Sequence, residues 1–432
     1  MKTLFKLILI ISACLMIASM THYSWADVVP GDKINKENYE KIKGMVPDAI
    51  LKWVKKGDIV LNIGKLTYNP AEYFSSETLE SFKSNKGKYA LDNKDGIIDS
   101  KTGKLPDFIN GIPFPDLDPK DPKFTQKLAY NGEYIANIHG HMLFRGPIEF
   151  IGRSGYEKEI ITDFRRFTLD GYFGARELSN PNNAEFYEIV VVREPYDMAG
   201  IATLSHRFRE SAKMDLIYNY LPQIRRTRRA SPANRSENFA STDFSIDDLG
   251  VFNGKISNFE WKFVEEKEVL VPFLREKPGM VRKIKGDWET TGEFGHIILG
   301  FQEKGWKGAS WATTNIIWVK QKAYVSELKS KDPAYNYGIQ QMWSDAGTFL
   351  PVYKIIYDRD NNHWKTEMAV LVGLESSSGE KRFMWYAAFL MVDERHEHAS
   401  FVEAVSDQNK FVWPEKLNMS DFSLGGFAKF CK

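Results

Sequence analysis

Two stretches of this chain leave little choice of fold. Ile189-Val190-Val191-Val192 and Met384-Trp385-Tyr386-Ala387-Ala388-Phe389-Leu390 are apolar at every position. A strand sends alternate side chains to opposite faces, so such segments must be covered on both sides. They belong to a long series of strand patterns at residues 157–163, 166–175, 186–193, 198–208, 214–221, 256–264, 282–290, 296–301, 316–328, 353–358, 368–374, 383–392 and 401–405. Short connections with β-branched and aromatic enrichment predict a predominantly antiparallel sheet. A sheet of this many strands must curl, split or close. One face can pack on helices; the other must be covered by an N-terminal arm or line a cavity.

Helical patterns are few. Asp48 opens a helix with Ile50, Leu51 and Val54 on one side, stopped at Gly57. Asp121-Pro122 starts a second that runs to about Ile138. Asp332-Pro333 predicts a third through Trp343 to near Gly347. Residues 66–122 read as an extended arm punctuated by prolines, with Ile112 and Phe114 either plugging an apolar groove or covering the core edge. Its acidic loop, 92–96, misses the register of a calcium loop and reads as a surface turn.

Lys2 and Lys6 precede the apolar run 7–18, and Ser24-Trp25-Ala26 has the shape of a cleavage site, so residues 1–26 read as a secretory leader. A lipoprotein site at Cys14 and a retained anchor are weaker alternatives. The mature chain is then expected to be periplasmic, with an arm at 27–138 and a sheet domain at 139–432. Without the two leader lysines, 56 basic residues face 57 acidic ones. That balance argues against nucleic-acid binding. Cys431 is the only cysteine outside the leader, so no internal disulfide is expected.

Residues 214–250 carry the most specific pattern. A strand ends at Leu221-Pro222; Arg225, Arg226, Arg228 and Arg229 follow as a basic turn. After a Ser/Asn-rich loop come Asp243, Phe244, Asp247 and Asp248. Two readings of the arginines remain open. They pair with Asp243, Asp247 and Asp248 as a latch on the loop, or they dock on anionic headgroups or an acidic partner.

No catalytic motif is found. His139-x-His141 and His396-x-His398 have a metal-compatible spacing but no complete ligand set, so both pairs read as surface histidines. Neither metal nor cofactor is expected, and the chain reads as non-enzymatic.

Tyr220-Leu221-Pro222 through Leu249 resembles the LolA/LolB-like superfamily of outer-membrane lipoprotein-sorting proteins, and within it a larger periplasmic family of unknown function. Weaker agreement lies in residues 110–115, 322–327 and 331–335. The resemblance implies a mainly β (α+β) fold: a large incomplete antiparallel barrel, or half-barrel, wrapped around helices, here with a long N-terminal arm. It implies a periplasmic carrier of an acyl-chain lipid or other hydrophobic small molecule, working with a resistance-nodulation-division exporter or an outer-membrane protein. Tyr218, Tyr220, Phe244, Trp261, Trp318 and Trp385 are the expected ligand-binding side chains of the concave face. An adaptor with a filled interior is the alternative, and a hydrolase a more distant one.

 A monomer is expected.

Overall fold

The computed structural model describes residues 27–432, so the expected leader, with its alternative at Cys14, lies outside the described residues. The N-terminal part contributes β1 (Lys33–Ile34), α1 (Asp48–Lys56), β2 (Leu61–Ile63), α2 (Ser76–Ser84), β3 (Tyr89–Leu91), β4 (Ile97–Asp99) and α3 (Phe124–Asn137). Strands then follow one another: β5 (Met142–Gly152), β6 (Gly155–Thr168), β7 (Ala184–Glu194), β8 (Ala202–Phe208), β9 (Leu216–Leu221) and β10 (Arg226–Ala230). The second half adds β11 (Phe259–Phe273), β12 (Gly279–Ile284), β13 (Asp287–Thr291), β14 (Ile317–Ser330), β15 (Ile339–Asp345) and β16 (Pro351–Tyr357). It ends with β17 (His363–Glu375), β18 (Arg382–Asp393), β19 (His398–Glu403), β20 (Phe411–Trp413) and α4 (Leu424–Phe430).

The main sheet runs β11-β14-β15-β16-β17-β18-β19-β5-β6-β7-β8-β9-β10, antiparallel at every one of these steps. It is an incomplete barrel: among the described residues β10 pairs only with β9 and does not meet β11. β2, from the N-terminal part, pairs in parallel with β14. The sheet wraps around α3, which is buried on most of its circumference. That burial demands partners for its polar side chains. Asn131 exchanges bonds with the backbone of Phe114, and the hydroxyls of Tyr130 and Tyr134 donate to the Asp95 carbonyl and to Asp170.

The strand that is apolar on both faces now has its explanation. Val190 and Val192 of β7 face one cluster, with Phe244, Ile246 and Met342. Ile189 and Val191 face another, with Phe422 and Phe427 of the C-terminal segment that ends in α4. Ile112 and Phe114 are both buried, and Phe114 lies against Tyr130 of α3.

Two expectations are corrected. Residues 332–347 do not form a helix: Asp332 caps a turn by accepting from the Ala334 N–H, and β15 then fills the sheet between β14 and β16. Residues 296–301 form an isolated bridge at Leu299 and a short 3-10 turn rather than a strand. β5, which lies outside the series of expected strands, carries Gly146-Pro147. Its outer edge pairs with β20 at residues 143–144 and with β19 at 149–151, so the proline falls in the gap where no donor is required.

Candidate functional site

Between α3 and the concave face of the sheet lies a cavity of about 170 Å³. Its hydrocarbon lining comes chiefly from Phe144, Phe164, Phe244, Phe252, Phe389 and Phe411. On α3 the lining positions are Ala129, Gly132, Glu133 and Ala136, one face of the helix by their spacing of three and four. Small residues there leave room that larger ones would occupy. The opposite wall is the loop between β10 and β11, from Phe239 to Asn253.

This loop has little regular structure, so side chains hold it. Arg235 binds Asp247 and also donates to Ser205 Oγ at 2.7 Å. Asp247 accepts from the Tyr335 hydroxyl, and Asp248 accepts from the Tyr337 hydroxyl, both at 2.8 Å. Lys354, fully buried on β16, reaches Asp248 at 2.7 Å and Glu367 of β17 at 3.0 Å. Lys365 donates to the Asp243 carbonyl at 2.6 Å, and Asp243 accepts from His398 and Ser400. Burial opposes the Lys354 charge, but Asp248 and Glu367 outweigh it and hold its pKa up. The bond to Asp243 likewise raises His398.

Glu367 is the strained member. Burial pushes its carboxyl up to about 8, with Lys354 pulling the other way. A carboxyl raised in the folded state binds its proton there over a pH range where the unfolded chain has released it. Stability from this group is therefore fullest below the unfolded value and is lost as pH rises to about 8. Glu367→Gln is expected to flatten the fall of unfolding free energy between pH 5 and 8. Urea titrations at several pH values check it; an unchanged slope would place the proton elsewhere.

The profile of DUF1329, described as a protein of unknown function, matches residues 33–427. The chain belongs to the DUF1329 family. No match is found among curated proteins. Among solved structures, this DUF1329 chain is similar to a domain classed as outer membrane lipoprotein-sorting from Vibrio parahaemolyticus, with 15% identity and a TM-score of 0.45, covering 70% of this chain and 97% of that one. A DUF1329 family protein from Desulfovibrio piger has 13% identity and a TM-score of 0.43, covering 68% and 94%. A LolA superfamily protein from Nitrosomonas europaea has 12% identity and a TM-score of 0.38, covering 68% and 95%.

The expected ligand-binding aromatics of this DUF1329 protein are not gathered in one place. Phe244 and Trp385 line the cavity. Tyr218 and Tyr220 lie on the other side of the sheet, with Tyr220 against Phe427 of α4. Trp318 stacks near Tyr353 in the large core, and Trp261 packs on Phe252 and donates to the Ile256 carbonyl. The basic run is also differently placed. Arg226, Arg228 and Arg229 sit on β10, an exposed strand, and Arg225 in the turn before it. Asp243, Asp247 and Asp248 are instead matched by His398, Arg235 and Lys354. The aspartates do pin the loop, with other cations than the four arginines.

Histidines differ from expectation too. His139 is buried and stacked on Phe383 at 3.9 Å, and burial pushes its pKa well down. His141 is buried and accepts from the Thr168 N–H. Among the described residues no group of three or more His, Cys, Asp or Glu is placed to hold a metal. Sequence reasoning missed Glu133, Arg235, Lys354 and Lys365. The available sign was a lone lysine inside the apolar run Val352-Tyr353-Lys354-Ile355-Ile356.

Proposed function

We propose that this protein shelters a hydrophobic small molecule in the cavity between α3 and the concave sheet, and carries it across the periplasm without chemical change. The observation that carries this reading is the apolar cavity of about 170 Å³ at the centre of an open sheet. A cavity of roughly 150 Å³ is enough to take up a benzene ring. Each methylene removed from water is worth about 0.8 kcal/mol, so a short aliphatic segment or one ring gives useful affinity without catalytic residues. Ile112 and Phe114 do not line this space; Phe114 packs on another face of α3. That placement favours a carrier over an adaptor with a filled interior. No described helix is long and apolar enough to cross a membrane, and an exporter in the inner membrane or a protein in the outer membrane would supply or accept the cargo.

Native mass spectrometry and organic extraction of protein purified from periplasm test the reading. A stoichiometric hydrophobic molecule is expected; its consistent absence, with no uptake of added alkyl probes, would reject the carrier.

The arginines of β10 belong to the same proposal as the surface that meets anionic headgroups. Each basic side chain near such a surface contributes about 1 kcal/mol. Arg226→Glu with Arg228→Glu is expected to weaken binding to vesicles containing anionic lipid by about ten-fold or more at low salt. Co-sedimentation measures this, and equal binding by both proteins would remove the docking role.

A further inference from the structure

Turns between strands usually carry glycine, proline, asparagine, aspartate or serine at their crests, because those residues meet the demands of the backbone there. Two turns at one end of the main sheet depart from this pattern. In the β7–β8 turn the Met198 N–H donates to the Pro195 carbonyl, which puts Tyr196 and Asp197 at the crest. In the β9–β10 turn the Arg225 N–H donates to the Pro222 carbonyl, which puts Gln223 and Ile224 there. Tyr196 is 97% exposed and Ile224 45%. The turns are neighbours, since Ala202 at the start of β8 is the partner of Tyr220 near the end of β9. A single exposed apolar side chain needs no explanation. Two on adjacent crests, held out of the core, call for one.

The charge around these crests is one-sided. Arg225, Arg226, Arg228 and Arg229 are exposed, and none of them forms an ion pair among the described residues. α4 packs beside β10 and adds Lys429, also exposed. On the acidic side stand Glu194, 3.9 Å from Arg145, and Asp197. Arg193, deeper in the same end, is used differently: it is bonded to Asp163 at 2.7 Å and to the Phe430 carbonyl at 2.8 Å. The exposed set is left to meet an anionic surface. A folded protein partner would need a continuous face of about 800 Å², and two separate crests among charged side chains do not make one. A bilayer closes around each side chain wherever it stands. Tyrosine suits that boundary, with a ring for the hydrocarbon and a hydroxyl for the headgroups.

We infer that the crests of the β7–β8 and β9–β10 turns enter an anionic bilayer, burying Tyr196 and Ile224 at the hydrocarbon boundary while the neighbouring arginines rest on headgroup phosphates. The inference rests on the headgroup docking proposed for β10 and names the part of the protein that goes below the headgroups. Two side chains make a weak anchor: even a single myristoyl chain, with far more hydrocarbon, gives only reversible binding. The contact is therefore transient, as a carrier that must leave one membrane for another requires.

The test uses the full chain and vesicles of phosphatidylcholine and phosphatidylglycerol in equal amounts, at low salt. Tyr196→Ser with Ile224→Ser is expected to lower binding by about ten-fold in co-sedimentation, although no charge is changed. Both positions lie outside the core, and circular dichroism checks that the fold is kept. In a second measurement Ile224→Cys carries an environment-sensitive fluorophore; Cys431 is buried and competes little for the label. Its emission is expected to brighten and shift to shorter wavelength when vesicles are added. Equal binding by the serine variant, or a fluorophore that stays in water on vesicle-bound protein, would overturn insertion while leaving the arginine docking standing. Failure of the unaltered protein to bind these vesicles would remove the docking reading, and this inference with it. Neither result touches the cavity, whose occupancy native mass spectrometry reads separately.

Discussion

Lys354→Met is expected to lower the unfolding free energy by about 3–5 kcal/mol, the usual cost of removing one partner from a buried ion pair. The lysine is fully buried and bonded to Asp248 and the Val251 carbonyl, with Glu367 Oε2 at 3.0 Å as a second ion-pair partner. Methionine fills a similar volume, so little of the loss would come from a void. What remains is the Asp248 carboxylate, buried with its charge unmatched by the nearest cation. Burial pulls its pKa upward, and Lys354 and Lys365 together outweigh that and hold it below the ordinary value. Adding Asp248→Asn to Lys354→Met removes the stranded charge and is expected to recover part of the stability. Urea unfolding followed by tryptophan fluorescence measures all three proteins. A loss below about 1 kcal/mol in the single variant would mean that the pair is no more than a surface-like contact.

Ala136→Phe is expected to empty the cavity of its cargo. Ala136 lies on the face of α3 that lines the cavity, and its small side chain is one reason space exists there. A phenyl ring in a volume of about 170 Å³ leaves little for a ligand. Overpacking of this kind costs about 1–3 kcal/mol where the surroundings cannot give way, but open space is available to receive the ring. The variant should fold and carry no bound molecule by native mass spectrometry. Retention of the same molecule at the same stoichiometry would place the binding site elsewhere in the protein.

Much of the sheet was legible from residues alone. Periodicity marks β7, β9, β14, β17 and β18 because their side chains alternate or are apolar throughout, and these are the strands that the core buries. It fails at β10, where Arg226, Arg228 and Arg229 read as a turn because an edge strand needs no buried face. It fails again at β15, where Asp332-Pro333 imitates a helix start and the backbone spends that signal on a turn. The site was legible only in part. The segment after Ser231 stands out by its composition, and it supplies a wall of the cavity. Its partners do not stand out, since Lys354, Lys365 and His398 come from strands more than a hundred residues away. Glu133 was hidden for a related reason. A carboxylate on a helix reads as a solvated position until the helix is known to lie inside a sheet.

The open sheet leaves β10 with a row of backbone groups that no strand among the described residues takes up. Such a row is a template on which another copy could add its own edge and begin a chain of copies. Arg226, Arg228 and Arg229 lie along it, so two copies approaching edge to edge bring like charges together. Solubility at high protein concentration is then tied to the same side chains proposed to touch lipid. Salt or a polyanion that neutralises them would be expected to trade dispersal for assembly.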